Sequence, residues 1–164
     1  MSLQIRDARD DELDIVASLS VDAYAEYAAR MSPDAWSSFA QDIANVRGRL
    51  PDADLLVAEL DGKLVGAVTM FTDWRGAQAD SVGVRLLAVI PEARGKGIGR
   101  ALMEEVIARA RARDKRRVVL TIAPEMESVK ELSEELGFER EPDLDHVPAP
   151  GVRSEGYALS LDGP

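Results

Sequence analysis

Residues 84–102 read Val-Arg-Leu-Leu-Ala-Val-Ile-Pro-Glu-Ala-Arg-Gly-Lys-Gly-Ile-Gly-Arg-Ala-Leu. An apolar stretch stops at Pro91, glycines follow at 95, 97 and 99, and apolar residues then recur at helical spacing. This order predicts a buried strand over 82–90, a glycine turn, and a helix over 97–113 with Leu102, Met103, Val106, Ile107 and Ala110 on its inner face. A helix opened by glycines leaves backbone N–H groups unpaired at the positive end of its dipole, which makes an anion site. Arg94, Lys96 and Arg100 add charge around those donors. A cofactor carrying a pyrophosphate is the natural guest, and the plainer alternative is a tight turn that uses its glycines only for geometry.

The wording of the turn sorts the guests. A P-loop requires Ser or Thr after its lysine, and Gly97 follows Lys96. A dinucleotide fingerprint requires Gly-x-Gly-x-x-Gly and an acid about twenty residues later, whereas positions 115–123 hold none. What remains is Arg94-x-x-Gly97-x-Gly99 behind an apolar strand. It closely resembles the Arg/Gln-x-x-Gly-x-Gly/Ala signature of the GNAT acetyltransferases, in which the turn holds the pyrophosphate of acetyl-coenzyme A.

Charge patterning agrees with a small polyanionic guest. The chain has 164 residues and a net charge of −10, but residues 94–117 carry +6 and the remainder −16. So acidic a remainder repels nucleic acid and anionic membranes, leaving one positive island at the glycine turn. Arg109, Arg111, Arg113 and Lys115 also suit the C-terminal end of a helix. Cysteine is absent and His146 is the single histidine, which argues against a metal centre. No apolar run reaches about 18 residues, so no transmembrane helix is expected. Met-Ser-Leu-Gln-Ile-Arg-Asp is unlike a secretory signal, and the cytoplasm is the expected compartment.

Elsewhere the pattern predicts a strand at Leu3–Arg6, a helix over about 12–29, and a second helix begun by Ser32-Pro33 and ended by Gly48. Strands at Leu55–Leu60 and Lys63–Phe71 meet at Asp61-Gly62, a hairpin dipeptide. A polar segment spans 72–81. Val118–Ala123 suits a strand covered on both faces. A helix over 126–136 stops at Gly137, a strand edge follows at Phe138–Glu141, 142–151 reads as a Pro-rich loop, and Ser154–Leu161 alternates like a last strand. The order βααβββαβαββ matches the GNAT fold, and the resemblance covers nearly the whole chain. It implies one α/β domain over 1–164: a twisted mixed sheet of six to seven strands with helices on both faces.

The resemblance also implies roles. Leu87, Ala88 and Val89 would hold the pantetheine arm through main-chain groups, and one N–H would polarise the thioester carbonyl. Arg94, Gly95, Lys96, Gly97, Ile98, Gly99 and Arg100 would wrap the phosphates. Relatives often protonate the departing thiolate with a tyrosine in Leu-Tyr-x-x-x-Gly-Phe. This chain has Leu132-Ser133-Glu134-Glu135-Leu136-Gly137-Phe138, which places Ser133 there. Asp145 is the candidate base, with Asp80, His146, Glu155 and a water chain as alternatives. The acceptor, a small-molecule amine or a protein amino group, would lie against the first two helices and the loop at 142–153, where Tyr24 and Tyr27 line it or fill the core. Acids in both regions favour a cationic acceptor or simply form a solvated surface. A homodimer is compatible with the family, and an acyl-CoA-binding regulatory module or a nucleotide-binding protein are the alternative functions.

Overall fold

The computed structural model describes residues 2–50, 53–72, 80–149 and 151–161. Strand β1 (Leu3–Asp7) leads through a 3-10 turn into helix α1 (Leu13–Tyr24). The expected helix over 12–29 is thus α only as far as Tyr24: residues Ala25–Arg30 wind as a 3-10 segment. Ser32 caps α2 (Pro33–Ala44) by accepting the Ala35 N–H, and Pro33 fills its first turn. Gly48 does not end α2. It lies within a short helix α3 (Val46–Arg49), which Asn45 caps.

Strands β2 (Ala53–Leu60) and β3 (Lys63–Phe71) pair antiparallel across Asp61-Gly62, both at positive φ as a tight hairpin requires. Most of the polar segment at 72–81 lies outside the described residues. Strand β4 (Ser81–Val89), helix α4 (Ile98–Ala112) and β5 (Arg117–Ile122) form a parallel crossover. Helix α5 (Glu127–Glu135), a two-residue β6 (Glu139–Arg140), β7 (His146–Ala149) and β8 (Val152–Ser160) complete the chain. Among the described residues the sheet has eight strands, in the order β1-β2-β3-β4-β5-β8-β6 with β7 paired to β8. The extra strand is β7, inside the segment read as a loop.

Strand alternation assigns the two faces. A Cβ on Gly66 would meet Ile98 and Leu102, and Gly99 faces Val89 and Leu87, so these positions share the α4 side. Arg85 is paired with Thr69, which alternation along β3 puts on the face opposite Gly66, and there its guanidinium pairs with Asp42 of α2 at 2.8 Å. Helix α1 packs on α2, β3 and β4. Both faces are therefore covered, and Val57, Val68, Val82, Val106 and Val118 are fully enclosed.

A charged knot ties the start of α1 to the sheet edge. Both oxygens of the buried Glu12 accept from Arg6 at 2.9 Å, one also accepts the Arg9 N–H at 2.8 Å, and Arg6 reaches Glu59 at 2.8 Å. The Arg6 bonds, reinforced by the Arg9 N–H, hold the Glu12 carboxyl down at about 2 against the opposing effect of burial. A native pKa below the unfolded one stabilises the fold above the unfolded value, and that contribution fades as pH falls. Melting temperature should be flat from pH 7 to about 5 and drop between about 4.5 and 2, with Glu12→Gln both lowering the plateau and flattening this drop.

Candidate active site

The site begins with a backbone irregularity. Arg85 lies opposite Thr69 and Ala88 opposite Ala67, so β4 spends three steps where β3 spends two. The additional residue bulges, with Leu86 at φ +60, a left-handed conformation that costs a leucine roughly 1–2 kcal/mol. On the other side, β4 pairs with β5 only as far as Val84 and Leu120, although both strands continue. Beyond that point the two splay apart.

The ladder tells which groups face the opening. Ile90 N–H donates to Val65 O at 2.9 Å, and Ala88 faces Ala67 two residues earlier. By alternation Leu87 and Val89 turn their main-chain groups away from β3, into the gap. Their carbonyls already have partners: the Tyr24 hydroxyl donates to Leu87 O, and Arg94 Nε donates to Val89 O at 3.2 Å. The N–H groups of Leu87 and Val89 are the donors left on this side of β4.

Helix α4 starts beside the gap without a side-chain cap. Gly97 is its N-cap at φ +77, Gly95 is also left-handed at φ +78, and the first turn holds no acid. The first α4 amide to bond back is Ala101, to Gly97 O at 3.0 Å. The N–H groups of Ile98, Gly99 and Arg100 precede the helical ladder and lack intrahelical acceptors. A Cβ on Gly95 or Gly97 would meet nothing within 4 Å, so both turn positions open onto empty space.

A cavity of about 350 Å³ joins these features. Leu87, Ala88 and Val89 line it together with Arg94, Gly95, Gly97, Ile98, Gly99 and Arg100. Its other walls are Tyr24, Glu26 and Tyr27 from the first helical segment and Ser128, Val129 and Leu132 from α5. Burial, the Glu26 charge and the Glu26 hydrogen bond push the half-buried Tyr27 phenol above its ordinary value, and burial does the same to Tyr24. Both phenols remain protonated at neutral pH.

Two sequence expectations need correction. Two cations of the turn, Arg94 and Arg100, have acidic partners within the chain, although both also line the cavity. Arg94 folds inward to Ala23 O at 2.9 Å and Glu26 at 2.8 Å, bracing β4 against α1, and Arg100 pairs with Glu135 at 2.7 Å. Lys96 is exposed and does not line the cavity.

The acid–base pair is the second correction. Ser133 is buried, and its hydroxyl donates to Val129 O at 2.8 Å, one turn back along α5. Ser133 is absent from the cavity wall. Asp145 accepts both Arg140 Nη atoms at 2.7 Å and the Gly156 N–H at 2.8 Å. These bonds lower its carboxyl to about 2, far too weak a base, and it too lies outside the cavity. Glu155 pairs with Arg153 at 3.0 Å, His146 Nδ1 lies 3.4 Å from Leu144 O, and Asp80 takes a Ser81 hydrogen bond. Ser133→Ala should consequently leave kcat within about twofold of the parent, measured by thiol release. A hundredfold fall, the scale of a lost general acid, would contradict the placement.

The comparisons agree with this geometry. The sequence signature of the Acetyltransferase (GNAT) family matches residues 15–138. An uncharacterized N-acetyltransferase of Archaeoglobus fulgidus is 33% identical over 120 residues, covering 70% of this chain and 78% of that protein. Among solved structures, a GNAT-family acetyltransferase from Staphylococcus aureus superposes with a TM-score of 0.78 at 15% identity, covering 98% of this chain and all of that one. The PaiA N-acetyltransferase of Thermoplasma acidophilum, solved in complex with coenzyme A, gives 0.76 at 17% identity and covers 95% and 98%. With a splayed strand pair, an uncapped glycine-opened helix and a family signature over most of its length, the chain belongs to the GNAT family of acetyltransferases.

Proposed function

We propose that this chain transfers the acetyl group of acetyl-CoA directly to a primary amine. The observation that carries the reading is the alignment of two sets of main-chain donors along one cavity: the Leu87 and Val89 N–H groups in the gap, and the Ile98, Gly99 and Arg100 N–H groups at the start of α4. The α4 donors, with the left-handed turn at Gly95 and Gly97, suit the diphosphate. The gap suits an extended arm, which would pair with β4 where β5 has departed. A thioester carbonyl at the inner end would accept the Leu87 N–H, a donor that strengthens as the oxygen gains charge.

The amine nitrogen attacks the acetyl carbon, the C–N bond forms, the C–S bond breaks, and the proton lost by the amine ends on the coenzyme A sulfur. A thiol of ordinary pKa near ~8.5 leaves as thiolate without obligatory help. With Ser133 and Asp145 outside the cavity, the Tyr27 phenol and the Glu26 carboxylate on its wall, or water, would carry the protons, and catalysis relies on positioning and the preorganised donor. The same two displacements favour a second reading, an acyl-CoA-binding regulatory module. Calorimetry with acetyl-CoA and thiol release across an amine panel separate the readings. Binding with turnover supports transfer, binding without turnover on any amine supports the module, and displacement of acetyl-CoA by ATP contradicts both.

A further inference from the structure

We infer that Tyr24 is a positioning residue for the transfer: its hydroxyl, bonded to Leu87 O, holds the Leu87 N–H on the thioester oxygen. This rests on the acetyl-CoA reading above, and Tyr24 itself acts on no reacting bond. Within an extended strand the N–H and C=O of one residue point to the same side. Leu87 therefore shows both groups to the gap, where β5 would have supplied a donor and an acceptor had the two strands stayed paired. The Tyr24 hydroxyl takes the donor's place at Leu87 O. The acceptor's place, at Leu87 N–H, is left for the acetyl carbonyl.

Leu87 needs holding. The residue before it, Leu86, sits at φ +60 in the bulge of β4, a conformation that persists only where its surroundings fix it. Leu86 and Leu87 share the peptide that carries the Leu87 N–H, so relaxation of Leu86 would swing that N–H off the thioester. Strand β3 gives no grip on this side, because it faces Ala88 and takes the Ile90 N–H on the other edge of β4. Strand β5 gives none either, since its pairing with β4 stops at Val84. The anchor at Leu87 comes from α1 instead, through Tyr24.

Tyr24 is built as a fixed donor. Its ring lies 5.7 Å from that of Phe39, edge-on, and 6.0 Å from that of Tyr27, and the residue is only 4% exposed. Burial raises its phenol well above the ordinary value, so the proton stays in place and the bond to Leu87 O persists at working pH. The next gap-facing carbonyl is tied to the same helix end, because Arg94 donates both to Val89 O at 3.2 Å and to Ala23 O at 2.9 Å. The end of α1 thus answers both carbonyls and leaves the two N–H groups open. A phenylalanine would satisfy the packing. The hydroxyl is what links α1 to the residue beside the reacting carbonyl.

Infrared difference spectra of acetyl-CoA with a carbon-13 carbonyl, bound to the full chain, test this without any acceptor. The thioester carbonyl band should move to lower frequency on binding, and Tyr24→Phe should lose at least half of that displacement. Acetyl-CoA affinity by calorimetry should stay within fivefold, because the α4 amides still hold the diphosphate. With an amine that the parent acetylates, kcat should fall about tenfold or more while the KM for acetyl-CoA stays within fivefold. Tyr24→para-aminophenylalanine, which returns a donor to the same place, should restore the band. A merely structural tyrosine predicts a lower melting temperature with band and kcat unchanged. An unchanged band in folded Tyr24→Phe, a kcat within twofold of the parent, or no restoration by the amino variant overturns the inference. Should Tyr24→Phe not fold, a crystal structure of the parent with acetyl-CoA decides. Tyr24 on Leu87 O and the thioester oxygen on Leu87 N–H support the inference, and the loss of either bond overturns it. Acetyl-CoA bound with an unchanged band leaves the cofactor reading standing, whereas no binding to the parent removes both.

Discussion

Gly97→Glu is expected to abolish acetyl-CoA binding in a protein that still folds, weakening affinity by at least about a hundredfold. Gly97 is the N-cap of α4 at φ +77, and a Cβ there would point into open space, so the substitution leaves the core untouched. The backbone penalty is roughly 1–2 kcal/mol, well within what a domain of this size tolerates. The effect on the ligand is larger. A carboxylate at the helix N-terminus competes for the Ile98, Gly99 and Arg100 donors and repels a diphosphate. Each charge-assisted hydrogen bond lost is worth about 1.5–3 kcal/mol, so losing two already reaches the stated factor. Calorimetry measures the affinity and circular dichroism the fold. An unchanged dissociation constant in a folded variant would contradict the phosphate site.

Gly156→Ala is expected to be strongly destabilising for a single added methyl. A Cβ at 156 would lie 2.7 Å from Glu141 O and would collide with the Leu144 Cβ. Neither neighbour can yield easily. Glu141 N–H donates to Gly156 O at 2.9 Å, Gly156 N–H donates to Asp145, and Arg140 reaches Gly156 O at 3.1 Å. One glycine thus fastens the whole 140–145 turn onto β8. Overpacking of this kind costs about 1–3 kcal/mol or more, and a domain of this length loses about 2–4 °C per kcal/mol. A drop in melting temperature of roughly 5–10 °C is expected, read by calorimetry. The hairpin of β7 and β8 also packs on α2, so that helix loses support with it. A melting temperature within 2 °C of the parent would show that the turn is not held as described.

Much of the site was legible because it is local. The apolar run into Pro91, the alternating glycines and the helical spacing after them specify strand, turn and helix within twenty residues. The same segment supplies every main-chain donor proposed for the cofactor. What stayed hidden depends on distant partners. Nothing in Arg85-Leu86-Leu87 signals a left-handed leucine, because the bulge is imposed by pairing with β3 and no glycine or asparagine marks it. Strand β7 was concealed by the proline within it and exists through its pairing with β8. The partners of Arg94, Glu26 and Ala23 O, lie some seventy residues earlier in the chain, beyond any local pattern. Ser133 and Asp145 had sequence positions suited to catalysis, yet Val129 O and Arg140 claim their polar atoms. The Asp42, Arg49 and Arg85 cluster brings α2, α3 and β4 together, and no local pattern announces it.

The most direct test is a crystal structure of the chain with coenzyme A. The diphosphate should lie within hydrogen-bond reach of the amides of Ile98, Gly99 and Arg100, with the pantetheine arm paired to Leu87 and Val89 in the gap beside β5. Coenzyme A bound elsewhere on the molecule, or a gap closed by continued β4–β5 pairing beyond Val84 and Leu120, would contradict the account.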